Sequence, residues 1–459
     1  MKTEKLSTYE RLEVLFDSGS FCESSSSPKS LFVTGEGKID GRSVYVVAGR
    51  MEGVYTDEAL YANLCEETTF FKMATHIKKP LVFIHDNPVG DQQKASPILR
   101  SQSKLLLDSN AMGGTFYSYA RLIGQVPTVS VVLGRISSSQ TFHTVMSDVT
   151  VMSKEAGLCM GRPDMVKEVL GEDISFEELA GPTNHSELSG IVSKVCATEG
   201  ESLLWARQYL AYFPLYRELS LPVYAAKEPY VSDVAGIIPD DANKGFNIKE
   251  LIYTIVDAET FLELNESFAK EVVVGLSYIN GRSVGIVANN SIYKGGVLFT
   301  SSCQKISKFV ALCDNYHIPL LFLADIPGFM IGSEAEKSGI IGAGGELFKT
   351  IARATVAKVS IVVRKAYTGG VYAMAGAGFD SVGFFALPNA NLGIYSIDTI
   401  ERLVSTRLCS TEEQRTIDEL KREITNPQLL VEQGLLDGVI LPSEIRQKVI
   451  LALQDYYYE

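Results

Sequence analysis

The stretch "IDGRSVYVVAGR" at residues 39–50 returns as "INGRSVGIVANN" at 279–290. Two more pairs follow in the same order: "KKPLVFIHDNPVG" (78–90) with "HIPLLFLADIPGF" (317–329), and "GQVPTVSVVLGR" (124–135) with "ATVAKVSIVVRK" (354–365). Their offsets are 240, 239 and 230 residues. One such pair can arise by chance, but three in register indicate a duplicated domain. The runs "SVYVVA", "LVFIH", "TVSVVLG", "SVGIVAN", "LLFLAD" and "VSIVV" are nearly continuously apolar, as expected of strands buried on both faces. Helical patterns lie between them. In "GELFKTIARATV" Leu347, Ile351 and Ala354 share an apolar face while Lys349 and Arg353 point elsewhere. Gly344 and Gly345, just ahead of it, would let the helix start approach another group closely. Each copy therefore reads as α/β. The junction is expected within residues 215–240, where Pro, Asp and aromatic residues occur without sustained periodicity, giving domains at 1–220 and 221–459.

Bulk properties narrow the function. A chain of 459 residues is too long for one ordinary core. With 46% hydrophobic and 21% charged residues it has the composition of a globular protein. Its apolar runs are strand-sized, well below the roughly 18 residues of a membrane helix. The start, "MKTEKLSTYERLEVLF", lacks the apolar segment and cleavage site of a signal peptide, so a cytoplasmic location is expected. A net charge of −13 without a Lys/Arg block argues against nucleic acid as main partner. The seven cysteines are scattered and lack any C-x-x-C, as for reduced thiols. The five histidines show no metal spacing, so no metal site is expected.

Longer segments carry a resemblance. "KLSTYERLEVLFDSGSFCE" near the start and "GRPDMVKEVLGEDISFEELAGPTNH" (161–185), followed by Ser189–Gly190, resemble signature segments of the carboxyltransferase subunits of biotin-dependent acyl-CoA carboxylases, the propionyl-CoA and methylcrotonyl-CoA carboxylase β type. The second half is similar almost element by element, in residues 255–290, "ADIPGFMIGSEAEKSGIIGAGGELF" (324–348), "RKAYTGGVYAMAG" (364–376), "LPNANLGI" (387–394) and "VEQGLLDGVILPSEI". The resemblance implies two tandem crotonase-like domains, in agreement with the duplication. It further implies a trimer of dimers, homo- or hetero-hexameric, with each active site between the N-terminal domain of one chain and the C-terminal domain of its partner.

The chemistry so implied moves a carboxyl group between carboxybiotin and an acyl thioester through enolate-like anions. Charge develops on an oxygen at each end of the transfer, and prealigned N–H donors are the main help a protein can give. Backbone amides at a strand-to-helix turn supply them, with a favourable dipole. By resemblance, the amides around Gly369, Gly370 and Val371 polarise the biotin carbonyl, with Tyr367 and Thr368 leading into that turn. Pro327 and Gly328 in "DIPGF" either shape the pocket wall or only make a turn. Gly344 and Gly345 either present amides to a ligand or only allow tight packing. No Ala-Met-Lys-Met attachment pattern and no ATP-binding glycine loop occur, so biotin is expected on a separate carrier protein, charged by a biotin carboxylase subunit.

The first half departs from the family pattern. Ser138 and Ser139 stand where the family has a Gly-Gly pair that holds the acyl thioester oxygen. "DNPVGDQQKA" (86–95) and "GRMEGVYTDE" (49–58) lack the expected glycine pairs, and Gly342 replaces an arginine. Serines keep their N–H groups and add a hydroxyl donor, but their Cβ atoms restrict φ. Three functions stay open: a carboxyltransferase acting on an acyl-CoA or acyl-carrier-protein thioester, a decarboxylase or transcarboxylase of malonyl-type thioesters, and a half-degenerate structural partner in a hetero-oligomer.

Overall fold

Asp40 and Gly41 have φ of 49° and 75°, and Asn280 and Gly281 have φ of 54° and 73°. Two successive left-handed residues make the turn that joins antiparallel strands without splaying them, which is why Asp-Gly and Asn-Gly stand there. The computed structural model describes residues 5–25, 30–50, 57–86, 102–231, 234–405 and 411–458. Within it the chain separates into two units, Met1–Ser220 and Leu221–Glu459.

In the first unit the strands are β1 (Cys22–Ser25), β2 (Phe32–Ile39), β3 (Arg42–Gly49), β4 (Leu81–His85), β5 (Thr128–Val132), β6 (Arg135–Ser137), β7 (Val149–Ser153), β8 (Gly157–Cys159) and β9 (Lys194–Cys196). The main sheet runs β1-β2-β3-β4-β5-β7-β9, with β6 and β8 paired beside it. In the second unit they are β10 (Leu262–Leu264), β11 (Val272–Ile279), β12 (Arg282–Asn289), β13 (Leu320–Ile326), β14 (Lys358–Tyr367), β15 (Gly383–Ala386), β16 (Asn391–Gly393) and β17 (Gly438–Val439). Their order is β10-β11-β12-β13-β14-β15-β17, with β16 on the far end of β14. In each sheet the first two pairings are antiparallel and the rest parallel.

The duplication extends to register. Phe32 faces Gly49 and Val272 faces Asn289; Leu81 faces Thr128 and Leu320 faces Lys358. It extends to polar contacts as well. Asp17 accepts from the N–H groups of Asp40 (3.1 Å) and Gly41 (2.8 Å) and pairs with Arg207 (2.9 Å), which also donates to Leu15 O. Asp257 accepts from Asn280 (2.9 Å) and Gly281 (2.8 Å) and pairs with Arg446 (2.8 Å), which donates to Ile255 O. One copy differs. The single long strand β14 corresponds to β5 and β6 together, which are separated at Leu133 and Gly134.

The helix holding Gly344 and Gly345 starts earlier than its pattern suggests. It spans Ile340–Arg353 with the left-handed Gly339 (φ 81°) as its N-cap. The two glycines therefore lie inside the helix, where their N–H groups face carbonyls one turn back. Leu347 and Ile351 are buried as expected, and Ala354 is extended and ends the helix.

The Asp257 side chain is 2% exposed and that of Asp17 31% exposed, so the two copies of one clamp should differ in weight. Asp257→Ala removes a buried carboxylate from a half-buried arginine and from two backbone amides, of which only that of Gly281 is buried, and should cost about 2 kcal/mol, whereas Asp17→Ala should cost about 1 kcal/mol or less. Urea unfolding of the two variants checks the difference; equal losses would contradict it.

Candidate active site

Each unit carries a turn of the same construction, after β14 in the second unit and after β6 in the first. In the second unit, Thr368 follows β14 with φ 53°, and Gly369 (φ −62°, ψ −11°) caps the short helix Gly370–Ala373. The Thr368 N–H donates to Gly393 O of β16 at 3.1 Å, and its carbonyl accepts from Val371 N–H at 3.4 Å. In the first unit, Ser138 follows β6 with φ 60°, and Ser139 (φ −57°, ψ −32°) caps the helix Gln140–Met146. Ser138 N–H donates to Cys159 O of β8 at 3.0 Å, and its carbonyl accepts from Thr141 N–H at 3.1 Å. Ser138 thus matches Thr368. Ser139 and Gln140 take the places of Gly369 and Gly370, one residue later than the sequence pattern suggests. The left-handed residue anchors the comparison, and in both copies it precedes the pair.

The first amides of a helix have no acceptor one turn back, so the N–H groups of Gly369 and Gly370, and of Ser139 and Gln140, are the candidate donors of the two turns, those of Val371 and Thr141 being bonded within them. Ser139 makes no side-chain bond to the helix it caps.

Glycine at 369 and 370 answers to packing rather than to φ. A Cβ on Gly370 would lie 3.0 Å from Ile326 Cγ1, and one on Gly369 would lie 3.2 Å from the Phe329 ring and 3.5 Å from Phe348. A Cβ on Gly344 would also meet Phe329, at 3.2 Å, whereas one on Gly345 would meet nothing within 4 Å. Phe329 therefore brings three predicted segments together: "DIPGF", the glycine-bearing helix and the Gly369 turn. Gly328 (φ 122°) sits under Thr368, where a Cβ would be 2.8 Å from Thr368 Oγ1. Pro327 is half-buried beside it, and Tyr367 is buried, which raises its phenol pKa. Phe348, Tyr372 and Phe379 continue the aromatic wall, with centroids 6.0–6.3 Å apart. Gly342 lies in the first helical turn with open space at its Cβ. Residues 51–56 and 87–95, where the other departures fall, lie outside the described residues.

Under the Ser138 turn the core is polar. His85 Nε2 contacts Ser130 Oγ (3.0 Å), which contacts Ser147 Oγ (2.7 Å), which contacts Tyr119 OH (2.6 Å). His143, on the helix that starts at the turn, is packed among Phe71, Phe83, Phe116 and Tyr119. Burial pushes its pKa down to about 4, and burial together with His143 holds His85 well below its ordinary value. Both rings are neutral at pH 7.

Two buried ion pairs escaped the motif reading. Arg364 pairs with Asp325 at 2.6 Å, and Arg11 pairs with Asp86 at 2.7 Å. The aligned aspartates, 239 residues apart, were the available signal; the arginines come from unrelated positions.

Two copies of an α/β unit, each carrying an amide-bearing turn, after β6 or after β14, define a tandem crotonase-like protein. The carboxyl transferase domain model matches residues 2–458. The chain is 33% identical over 477 residues to the carboxylase YngE of Bacillus subtilis, covering 98% of this chain and 90% of that protein. It is 28% identical over 476 residues to the mitochondrial propionyl-CoA carboxylase beta chain of Homo sapiens, covering 98% and 85%. The crystal structure of transcarboxylase 12S superimposes with a TM-score of 0.89 at 27% identity, covering 99% of this chain and 90% of that one. This chain belongs to the carboxyl transferase family and is an enzyme of the acyl-CoA carboxyltransferase type. No helix among the described residues is long and apolar enough to cross a membrane.

Gly345→Ala should stabilise the protein by about 0.5–1 kcal/mol, because it restricts the unfolded chain and meets no neighbour. Gly344→Ala should be less stable than Gly345→Ala by about 0.5–1 kcal/mol, because the Phe329 ring must give way to the new Cβ. Thermal unfolding of both variants reads the difference, and matching shifts would contradict it. The lowered histidine values set a pH dependence. A base whose pKa falls on folding binds protons more readily when unfolded, so its contribution is complete above about pH 6.5 and is lost as pH falls towards 4. His143 alone should remove about 2 kcal/mol between pH 7 and 5. His143→Phe should flatten the melting temperature against pH over that window; an unchanged slope would contradict the assignment.

Proposed function

We propose that this chain moves a carboxyl group between carboxybiotin, carried on a separate protein, and an acyl-CoA thioester. The observation that carries this reading is the repeated turn: two left-handed residues, Thr368 and Ser138, each lead into the first amides of a helix in the same backbone geometry. A transfer with one developing oxyanion on the donor and one on the acceptor needs two such sites.

The second unit fits the biotin side. Gly369 and Gly370 let the turn pack tightly against Ile326 and Phe329, and Phe329, Phe348, Tyr372 and Phe379 offer an apolar wall for a flat, neutral ring system. Bound there, carboxybiotin supplies the carboxyl group and, after its loss, a base for the α-proton of the thioester. The amides of Gly369 and Gly370 hold the ureido oxygen, Val371 closes the turn through its bond to Thr368 O, and Tyr367, Thr368, Pro327 and Gly328 shape the approach. The first unit fits the acyl side, where Ser139 and Gln140 contribute amides and Ser138 sets their direction. The Ser139 hydroxyl is a further donor to the thioester oxygen.

The human relative is a propionyl-CoA carboxylase chain, and transcarboxylase 12S is a hexamer solved with methylmalonyl-CoA and methylmalonic acid. A short-chain acyl-CoA substrate and a hexamer that works with a biotin carrier and a biotin carboxylase follow from that similarity. The likeness to a transcarboxylase also favours a second reading, transfer out of a malonyl-type thioester, which is the same chemistry reversed.

Purified chain combined with biotinylated carrier, biotin carboxylase, ATP and bicarbonate should carboxylate at least one member of an acyl-CoA and acyl-carrier-protein panel. Transfer to none of them, in either direction, overturns the reading. Gly369→Ala should slow carboxybiotin turnover by about tenfold or more through displacement of the turn, with the KM for the thioester little changed.

A further inference from the structure

The two buried ion pairs hold the same carboxylate by different arginines. Asp325 and Asp86 occupy equivalent places at the C-terminal ends of β13 and β4. In the second unit the arginine is Arg364, which belongs to β14 and stands four residues ahead of Thr368. Its Nη2 reaches Asp325 Oδ2 (2.6 Å) and Ser291 Oγ (3.0 Å), and its Nη1 caps the carbonyls of Asp241 and Lys244. The strand leading into that turn thus carries its own anchor.

In the first unit the place of Arg364 is taken by Gly134, and the strand is broken there between β5 and β6. Any Cβ at Gly134 would run into Asp86 Oδ1, so the carboxylate lies directly against the backbone that leads into Ser138. Leu133 and Gly134 N–H groups both reach His85 O, at 2.9 and 3.3 Å. The countercharge comes from the helix Thr8–Leu15. Arg11 is fully buried, donates through Nη2 to Asp86 Oδ2 (2.7 Å), and grips Glu199 at the start of the helix Glu199–Ala211 through Nε (2.9 Å) and Nη2 (2.8 Å). Lys5 adds a second cation at 3.0 Å from Asp86. The position of Arg11 in the second unit is Leu251, a core residue.

We infer that Arg11 is the positioning residue of the acyl-side turn: through Asp86 and Gly134 it sets β6 and the amides that follow Ser138, as Arg364 does through its own strand on the biotin side. This rests on the proposed assignment of the acyl thioester to the first unit. Arg11 is fully buried and its bonds go to Asp86 and Glu199, so its effect is on where the donors sit. An anion hole displaced by a fraction of an ångström loses transition-state stabilisation while ground-state binding survives.

The test uses the full chain in its reconstituted complex, with Arg11→Met and Arg11→Lys. Arg11→Met should lower kcat for transfer to the thioester by about tenfold or more with KM changed less than about threefold. Decarboxylation of the carboxylated carrier without thioester, the biotin-side half-reaction, should stay within about twofold of the parent. Arg11→Lys keeps the charge but cannot bridge two carboxylates, and should recover part of the loss. Hydrogen exchange measured on the same proteins should speed up at residues 138–141 in Arg11→Met and stay unchanged at 368–371. Unchanged kcat with unchanged exchange overturns the inference, as does a rise in KM alone. An equal loss of both half-reactions also overturns it, since that marks a general folding defect. Should the parent show no transfer to any thioester, the function assignment fails, and exchange at the two turns still decides whether Arg11 sets the first one. If Arg11→Met does not fold, the same comparison is made with Arg11→Lys.

Discussion

At the C-terminal end of the central strand in each unit an aspartate is shut away from water against a buried arginine. A carboxylate there without its partner would carry a desolvation cost of several kcal/mol, so the arginine's position is not negotiable once the aspartate is in place. The side chain of Asp325 is 0% exposed and that of Arg364 3%; for Asp86 and Arg11 the values are 5% and 1%. Everything at the strand ends is arranged around these pairs. Gly134 is a glycine because Asp86 fills the space of its side chain, and β14 runs unbroken because Arg364 occupies the matching space from within the strand.

The turns inherit their geometry from this arrangement. Thr368 and Ser138 adopt the left-handed conformation because a cross-strand carbonyl, Gly393 O or Cys159 O, holds each N–H while the chain reverses into a helix. Such backbone costs about 1 kcal/mol or more for a residue with a Cβ, and it persists where the surroundings over-determine it. Its return yields donors fixed before any ligand arrives, in a place where reorganisation would otherwise slow the reaction. The two copies diverge in what surrounds the donors. Aromatic rings and glycines line the second turn, while a serine hydroxyl and a helix backed by neutral histidines accompany the first.

Much of this was legible in the residue string. The repeated "GRSV" and "PL(V/L)F" blocks carried the duplication, and the continuous apolar runs carried the parallel strands. The segments around Gly369 and residues 324–348 carried the family. Less legible was the role of individual glycines. "GAGG" looked like the mouth of a helix, yet the helix begins at Ile340 and only Gly344 is packed, against Phe329. Ser139 and Gln140, not Ser138 and Ser139, match the two glycines, because the anchor is a φ angle and φ is not written in side-chain chemistry. Within "DIPGF" the hub role of Phe329 is not legible, since a lone aromatic beside a Pro-Gly step has no periodic signature.

The sequence by itself determined the two-fold repeat, the α/β class and the kind of reaction, because these depend on local pattern and on long segments shared with the family. Tertiary structure alone decided which residues serve the turns. Arg11 reaches Asp86 across 75 positions and Glu199 across 188, and Arg364 reaches Asp325 across 39. Pairing of buried charges is set by which side chains meet at a strand end, and no spacing along the chain encodes that meeting.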